Sequence, residues 1–216
     1  LLDIVIEPIS EADNVLDRMA VNDFSVKMSG QYKGMFQELE TSINTVQERL
    51  LELEKVFQHV AKGNTDLLEE LQQKGKKSEE DKLTTACIDM MQTIRDLIKE
   101  SNMLAEATAS GNLGTRGELS RFEGGYRDII RGMNTTMEAI SEPMQEIGTV
   151  LYKLAQKDLT SYVTGDYPGD YKEIKEAMNH TIRNLNEIMA EINTAADQVE
   201  TAANQVSNTS QTLAQG

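Results

Sequence analysis

From Phe36 onward the apolar residues fall at Phe36, Leu39, Ile43, Val46, Leu50, Leu53, Phe57 and Val60, alternately three and four positions apart. This is the a/d seam of a heptad repeat. No glycine or proline interrupts it, so a single helix of about 40 Å is predicted here, at about 1.5 Å per residue. A second seam runs Tyr126, Ile129, Met133, Met137, Ile140, Met144, Ile147, Leu151 and Leu154. A third runs Tyr171, Ile174, Met178, Ile182, Leu185, Met189 and Ile192. Both of these carry a 3-4-4-3 step, from Tyr126 and from Tyr171, whose extra four-residue spacing follows Met133 and Met178. Four extra residues in heptad register form a stutter, which locally unwinds a supercoil. Such a step brings two packings of the same helices close in energy. Beyond Ile192, Ala196, Val199, Ala203, Val206 and Leu213 continue the register into a further coiled-coil helix.

The seams begin at recurring text. Residues 29–44 read SGQYKGMFQELETSIN and residues 164–179 read TGDYPGDYKEIKEAMN. The form aromatic-x-Gly-x-aromatic occurs at Tyr32-Gly34-Phe36, Phe122-Gly124-Tyr126 and Tyr167-Gly169-Tyr171. Each copy leads to an apolar residue followed by Asn: Ile43-Asn44, Met133-Asn134 and Met178-Asn179. The glycines of the copies stand at 34, 124 and 169, so the spacings are 90 and 45. A further copy is due midway between the first two. There Lys77 and Asp81 replace the aromatics, and Ile88-Asp89 holds the Ile-Asn position. Internal periods of this length mark a repeat architecture.

Upstream of each copy a helical pattern ends in a turn signal: Ala20–Phe24, Ala61–Thr65, Ala109–Leu113 and Ala155–Leu159. Each repeat therefore reads helix, connector, helix. The connectors hold Gly30 and Gly34, Gly75, Gly117 and Gly124, and Gly165 and Gly169. Their spaced apolar residues, such as Phe24 and Met28 or Leu159 and Val163, predict packing along the helices rather than a solvated linker. Pro8 in IEPIS and Pro143 in ISEPM each remove a helical hydrogen bond, and a kink or break is expected at each. The expected segments are 1–50, 51–98 (divergent), 99–141, 142–190, and a coiled-coil helix from 191 to 216.

A narrow a/d stripe cannot bury itself; it needs partner helices. Connectors this long let the two helices of a repeat run parallel, where a short loop would force them antiparallel. Two parallel helices from each of two chains make a parallel four-helix bundle on a twofold axis. The expected fold is all-α: homodimeric four-helix bundles stacked end to end.

Composition supports helices over a large-cored globule. Aromatics are 5%, Trp is absent, Met numbers 11, and mean hydropathy is −0.45. With three prolines, long helices are permitted. The net charge of −15 argues against nucleic acid and anionic lipid as partners. Cys87 stands alone, which excludes an internal disulfide and a CxxC site. His59 and His180 lie far apart, with no Ser or Cys partner pattern. DYPGD at 166–170 is too short for an EF-hand loop. No phosphate-binding glycine loop is present. No catalytic residue, metal site or cofactor is expected, and no apolar run is long enough for a membrane span. The start without Met, and a finish inside a helical pattern, suggest a segment of a longer protein.

Helix, glycine-bearing connector and helix, opening on Glu-Pro and closing on apolar-Asn, resembles the HAMP domain. Four in tandem resemble a poly-HAMP array, and the tail resembles entry into the signalling helix of methyl-accepting chemotaxis proteins. The resemblance implies a parallel dimer that relays conformational signals from a sensor domain to a chemotaxis kinase and adaptor complex. It also implies the cytoplasmic portion of an inner-membrane receptor, with methylation sites beyond Gly216. The residues it assigns to bundle core and relay are Phe36, Leu39, Ile43, Val46, Leu50, Tyr126, Ile129, Met133, Met137, Tyr171, Ile174, Met178 and Ile182. The alternatives are a poly-HAMP linker of a histidine kinase, a static coiled-coil spacer, and a ligand-sensing unit in the divergent second repeat.

Overall fold

The computed structural model describes residues 2–215, so Leu1 and Gly216, the outer limits of the first and last expected segments, lie outside the described residues. The chain is all-helical, with no strand among the described residues. In order come α1 (Leu2–Ala20), α2 (Met35–Ala61), α3 (Leu68–Lys74), α4 (Lys82–Ala109), a 3-10 turn (Leu119–Arg121), α5 (Gly124–Ala155) and α6 (Asp170–Gln215). The seam from Phe36 to Val60 lies within α2, one uninterrupted helix. The third seam and the tail register lie together in α6.

Two compact units divide the chain, Leu1–Lys99 and Glu100–Gly216. In the first, α1, α2 and the connector between them close around Ala12, Val15, Met28 and Ile43, flanked by Met19, Val26 and Tyr32. A second cluster in that unit joins Val56, Leu68, Cys87 and Met91. In the second unit Ile147, Val150, Val163 and Ile182 form one cluster. Leu104, Phe122, Ile130 and Met137 are also buried there.

Each helix that precedes a connector stops in the same way. Asn22, Gly63, Gly111 and Lys157 take left-handed φ of 62°, 71°, 76° and 69°. The next amide folds back onto the helix: Asp23 N–H to Arg18 O at 2.9 Å, Asn64 to His59 at 2.9 Å, Asn112 to Ala107 at 2.8 Å, and Asp158 to Lys153 at 3.0 Å. These 6→1 bonds are Schellman closures, which satisfy carbonyls left over at a helix end. The Ala-to-Asn or Asp text is thus a stop signal in all four repeats.

Pro8 and Pro143 are fully buried, and α1 and α5 run through them without a break. The connector of the second repeat is not extended: residues 68–74 form α3, with Leu68 fully buried. The Leu67, Leu68 and Leu71 spacing gives that short helix an apolar face, and α3 covers the core that an extended connector covers in the other repeats.

Candidate functional site

The recurrent Asn is a clamp. The side chain of Asn44 accepts from Met28 N–H at 2.9 Å and donates to Met28 O at 2.9 Å. Asn134 does the same to Gly117, at 2.7 and 2.9 Å. Asn179 does the same to Val163, at 2.9 and 2.9 Å. A side-chain amide offers one acceptor and one donor in a plane, which matches the two groups of one peptide-bonded residue in extended backbone. The clamp therefore fixes the register of the connector against the second helix, and it turns the apolar side chain of Met28 or Val163 into the core. In the second repeat Asp89 takes this place, and it is exposed. A carboxylate has no donor for a connector carbonyl. There Arg95 holds the connector instead, donating to Thr65 O at 2.6 Å and pairing with Glu69.

The opposite side of the connector is held by an acid from the first helix. Glu146 accepts from Thr164 N–H at 2.7 Å, Thr164 Oγ1 at 2.9 Å, Gly165 N–H at 3.1 Å and Tyr167 O–H at 2.5 Å. Glu11 accepts from Ser29 N–H at 3.0 Å and from the Tyr32 hydroxyl. Both acids follow a buried proline by three residues, Pro8 to Glu11 and Pro143 to Glu146. The Tyr167 hydroxyl, the Thr164 groups and the Gly165 amide hold the Glu146 carboxyl down at about 2. The Tyr32 hydroxyl and the Ser29 amide lower that of Glu11 in the same way. Conversely the carboxylates push Tyr32 and Tyr167 up to about 12.

This network explains the repeated text. A Cβ on Gly30 or Gly165 would fall inside the ring of Tyr32 or Tyr167, so glycine clears the path of the phenol to its acid. Gly34, Gly124 and Gly169 have φ of 61°, 52° and 60°, the left-handed turn that delivers the chain into the second helix. The third repeat has Phe122, which lacks the hydroxyl. Its acid is Glu100, which accepts from Glu118 N–H at 2.8 Å and from Arg121 at 3.3 Å. Gly117 is buried there, and a Cβ would sit 2.7 Å from Ile130 Cγ2.

The seam residues divide between two surroundings. Ile43, Met137 and Ile182 are buried within the chain. Phe36, Leu50, Met133, Tyr171 and Met178 are half-buried. Val46, Ile129 and Ile174 are 51%, 47% and 42% exposed, and Leu39 and Tyr126 are also exposed. Ile130, outside the heptad seam as read from the sequence, is fully buried against its own connector. Each chain thus covers one side of its seam with the connector and leaves the other uncovered. Along α6 the uncovered line continues through Leu185, Met189, Ile192, Val199, Val206 and Leu213.

The two histidines make local polar contacts. His59 Nδ1 lies 2.8 Å from Asp66 Oδ1 and His180 Nδ1 lies 3.3 Å from Asn184. No helix among the described residues is long and apolar enough to cross a membrane.

The model of the HAMP domain family matches residues 1–52 and 121–187, more than half of the chain. The methyl-accepting chemotaxis protein McpB of Pseudomonas aeruginosa is similar at 28% identity over 104 residues. That alignment covers 48% of this chain and 15% of the length of McpB.

Proposed function

The chain belongs to the HAMP domain family, and from that premise we propose that it is a signal relay within a chemotaxis receptor. It couples an input domain to a methyl-accepting signalling domain through changes in helix packing. The uncovered apolar seam carries the reading. Val46, Ile129 and Ile174 sit at heptad positions in line with buried neighbours, yet are 51%, 47% and 42% exposed. A second copy, parallel and in register, supplies what that face lacks. The repeats are then four stacked relay modules, 1–50, 51–98, 99–141 and 142–190, and the helix from 191 leads to the output domain. The receptor's sensor domain and a kinase and adaptor complex are the partners of the whole protein, and the relay belongs to its cytoplasmic portion.

A relay needs a bistable element whose two states its neighbours can bias. The stutters at Met133 and Met178 provide it, because they place two consecutive four-residue steps where the helix must choose which side chains enter the core. The clamps keep each connector on its helix while the packing changes.

Sedimentation equilibrium tests the assembly. The expected species is an elongated dimer of twice 24.1 kDa. A compact monomer at every concentration removes the intersubunit bundle and the relay with it. The switch has its own test: Met178→Ala in the intact receptor should alter kinase output while helix content stays near its starting value. Unchanged output and unchanged helix content would refute it.

A further inference from the structure

The second repeat departs from the others where the tyrosine lies, and the departure leaves a cavity. Its volume is about 250 Å³, and Leu53, Val56, Leu71, Leu83 and Cys87 form its apolar wall. A shift of 45 residues maps the connector end of the first repeat onto it, Gly30 onto Gly75 and Tyr32 onto Lys77, and the shift of 41 between the helix stops Asn22 and Gly63 maps Glu11 onto Glu52. Gly75, Lys77 and Glu52 all line the cavity. In the first repeat a phenol ring and its acceptor carboxylate occupy this place. Here the ring is missing, and the acid, Glu52, is tied to Lys74 instead of a phenol.

The charge at the rim is also reversed. Arg49, Lys74 and Lys77 line the cavity, against Glu52 and Asp81. Both Asp81 oxygens are engaged at the start of α4, accepting from Thr84 N–H at 3.0 Å, Thr84 Oγ1 at 2.8 Å and Lys77 N–H at 2.9 Å. Glu52 is paired to Lys74 at 3.0 Å. The Lys77 ammonium makes no ion pair among the described residues. In a chain of net charge −15 this is a local cationic rim over an apolar hole.

We propose that the second repeat binds a small aromatic carboxylate, its ring in the slot vacated by the repeat's tyrosine and its carboxylate on Lys77. The size agrees: a cavity of about 150 Å³ holds benzene, and drug-sized ligands need about 300 Å³ or more. The ligand bridges α2, through Leu53 and Val56, to α4, through Leu83 and Cys87. It therefore adds a brace between the two helices of the repeat, and makes that brace conditional on a metabolite-sized molecule. The inference does not depend on the relay reading.

Phenylacetate is the probe, titrated calorimetrically into the full chain. Binding below about 1 mM is expected, with benzyl alcohol, which lacks the charge, weaker by about tenfold. Lys77→Tyr puts a ring back in the slot from an exposed position and should weaken phenylacetate by about tenfold or more. Cys87, the chain's only thiol, lines the cavity, so bound phenylacetate should slow its labelling by a maleimide. No heat up to about 10 mM, binding that Lys77→Tyr leaves unchanged, or binding without protection of Cys87 overturns the proposal.

Discussion

Removing one carboxylate should release one connector. Glu146→Ala deletes the acceptor of two backbone amides and two hydroxyls of the last connector. A hydrogen bond to a charged group contributes about 1.5–3 kcal/mol, and the partly exposed site lets water replace some of this. The net loss for the set should be about 2–3 kcal/mol. In a chain of this size each kcal/mol moves Tm by about 2–4 °C, so a fall of about 4–12 °C is expected if the segment melts with the rest. Repeat proteins also open locally, because each repeat touches only its neighbours. Amide hydrogen exchange is therefore the sharper assay: Thr164, Gly165 and Val163 should exchange faster by about tenfold or more, while Met28 in the first connector keeps its protection. Gly165→Ala should reproduce the effect by displacing Tyr167, and the double variant should cost little more than either alone, since both cut the same contacts. If Thr164 and Gly165 kept their protection in Glu146→Ala, the acid would not hold the connector and the reasoning would fail.

Other predictions follow from the same network. Because the folded Glu146 carboxyl sits near 2, below its ordinary value of 4.5, its contribution is present above that value and is lost as pH falls from about 4.5 toward 2. Because Tyr167 sits near 12, its contribution is present below its ordinary value of 10 and is lost as pH rises from about 10 toward 12, so melting of the last connector should be flattest between about pH 5 and 10. Asn179→Ala leaves Val163 N–H and O without partners and should cost about 1–3 kcal/mol, read as faster exchange of the Val163 amide in an otherwise helical chain. Lys157→Gly relieves a left-handed non-glycine residue and should leave Tm unchanged or higher, whereas Gly111→Ala at the equivalent position should lower it. Val46→Lys places a charge on the uncovered seam and should weaken dimer formation in sedimentation by about tenfold or more without lowering monomer helicity.

The heptad seams made the long helices legible, because spacing alone decides which face of a helix is apolar. The Schellman stops were legible too, since only a few residues tolerate a left-handed turn. The reason for the glycine-aromatic motif was not. Its pieces are local in sequence, but the tyrosine hydroxyl meets an acid about 20 residues upstream, and only the packed connector brings them together. The pairing Pro-x-x-Glu in IEPISE and SEPMQE was the available signal. In the third repeat even that disappears: Glu100 has no proline before it and its aromatic is Phe122. The recurrent Asn was visible as text, but its clamp depends on the extended backbone opposite. Residues 68–74 form a helix too short for periodicity to separate from a loop. The heptad reading favoured Ile129, while the core took Ile130, because a helix packed against its own connector presents a wider apolar face than two positions per heptad.

The central claim is a parallel, in-register pair of chains, and pulsed electron spin resonance tests it most directly. In a Cys87→Ala background, single spin labels are placed at Val46 and, in a second sample, at Leu185, one on the seam of α2 and one on that of α6. Helices in such bundles lie about 8–10 Å apart, so each sample should give one label-to-label distance of about 20 Å or less. A long distance at either site would mean antiparallel or shifted chains, and no dipolar signal at either would mean that the seam has no second copy against it.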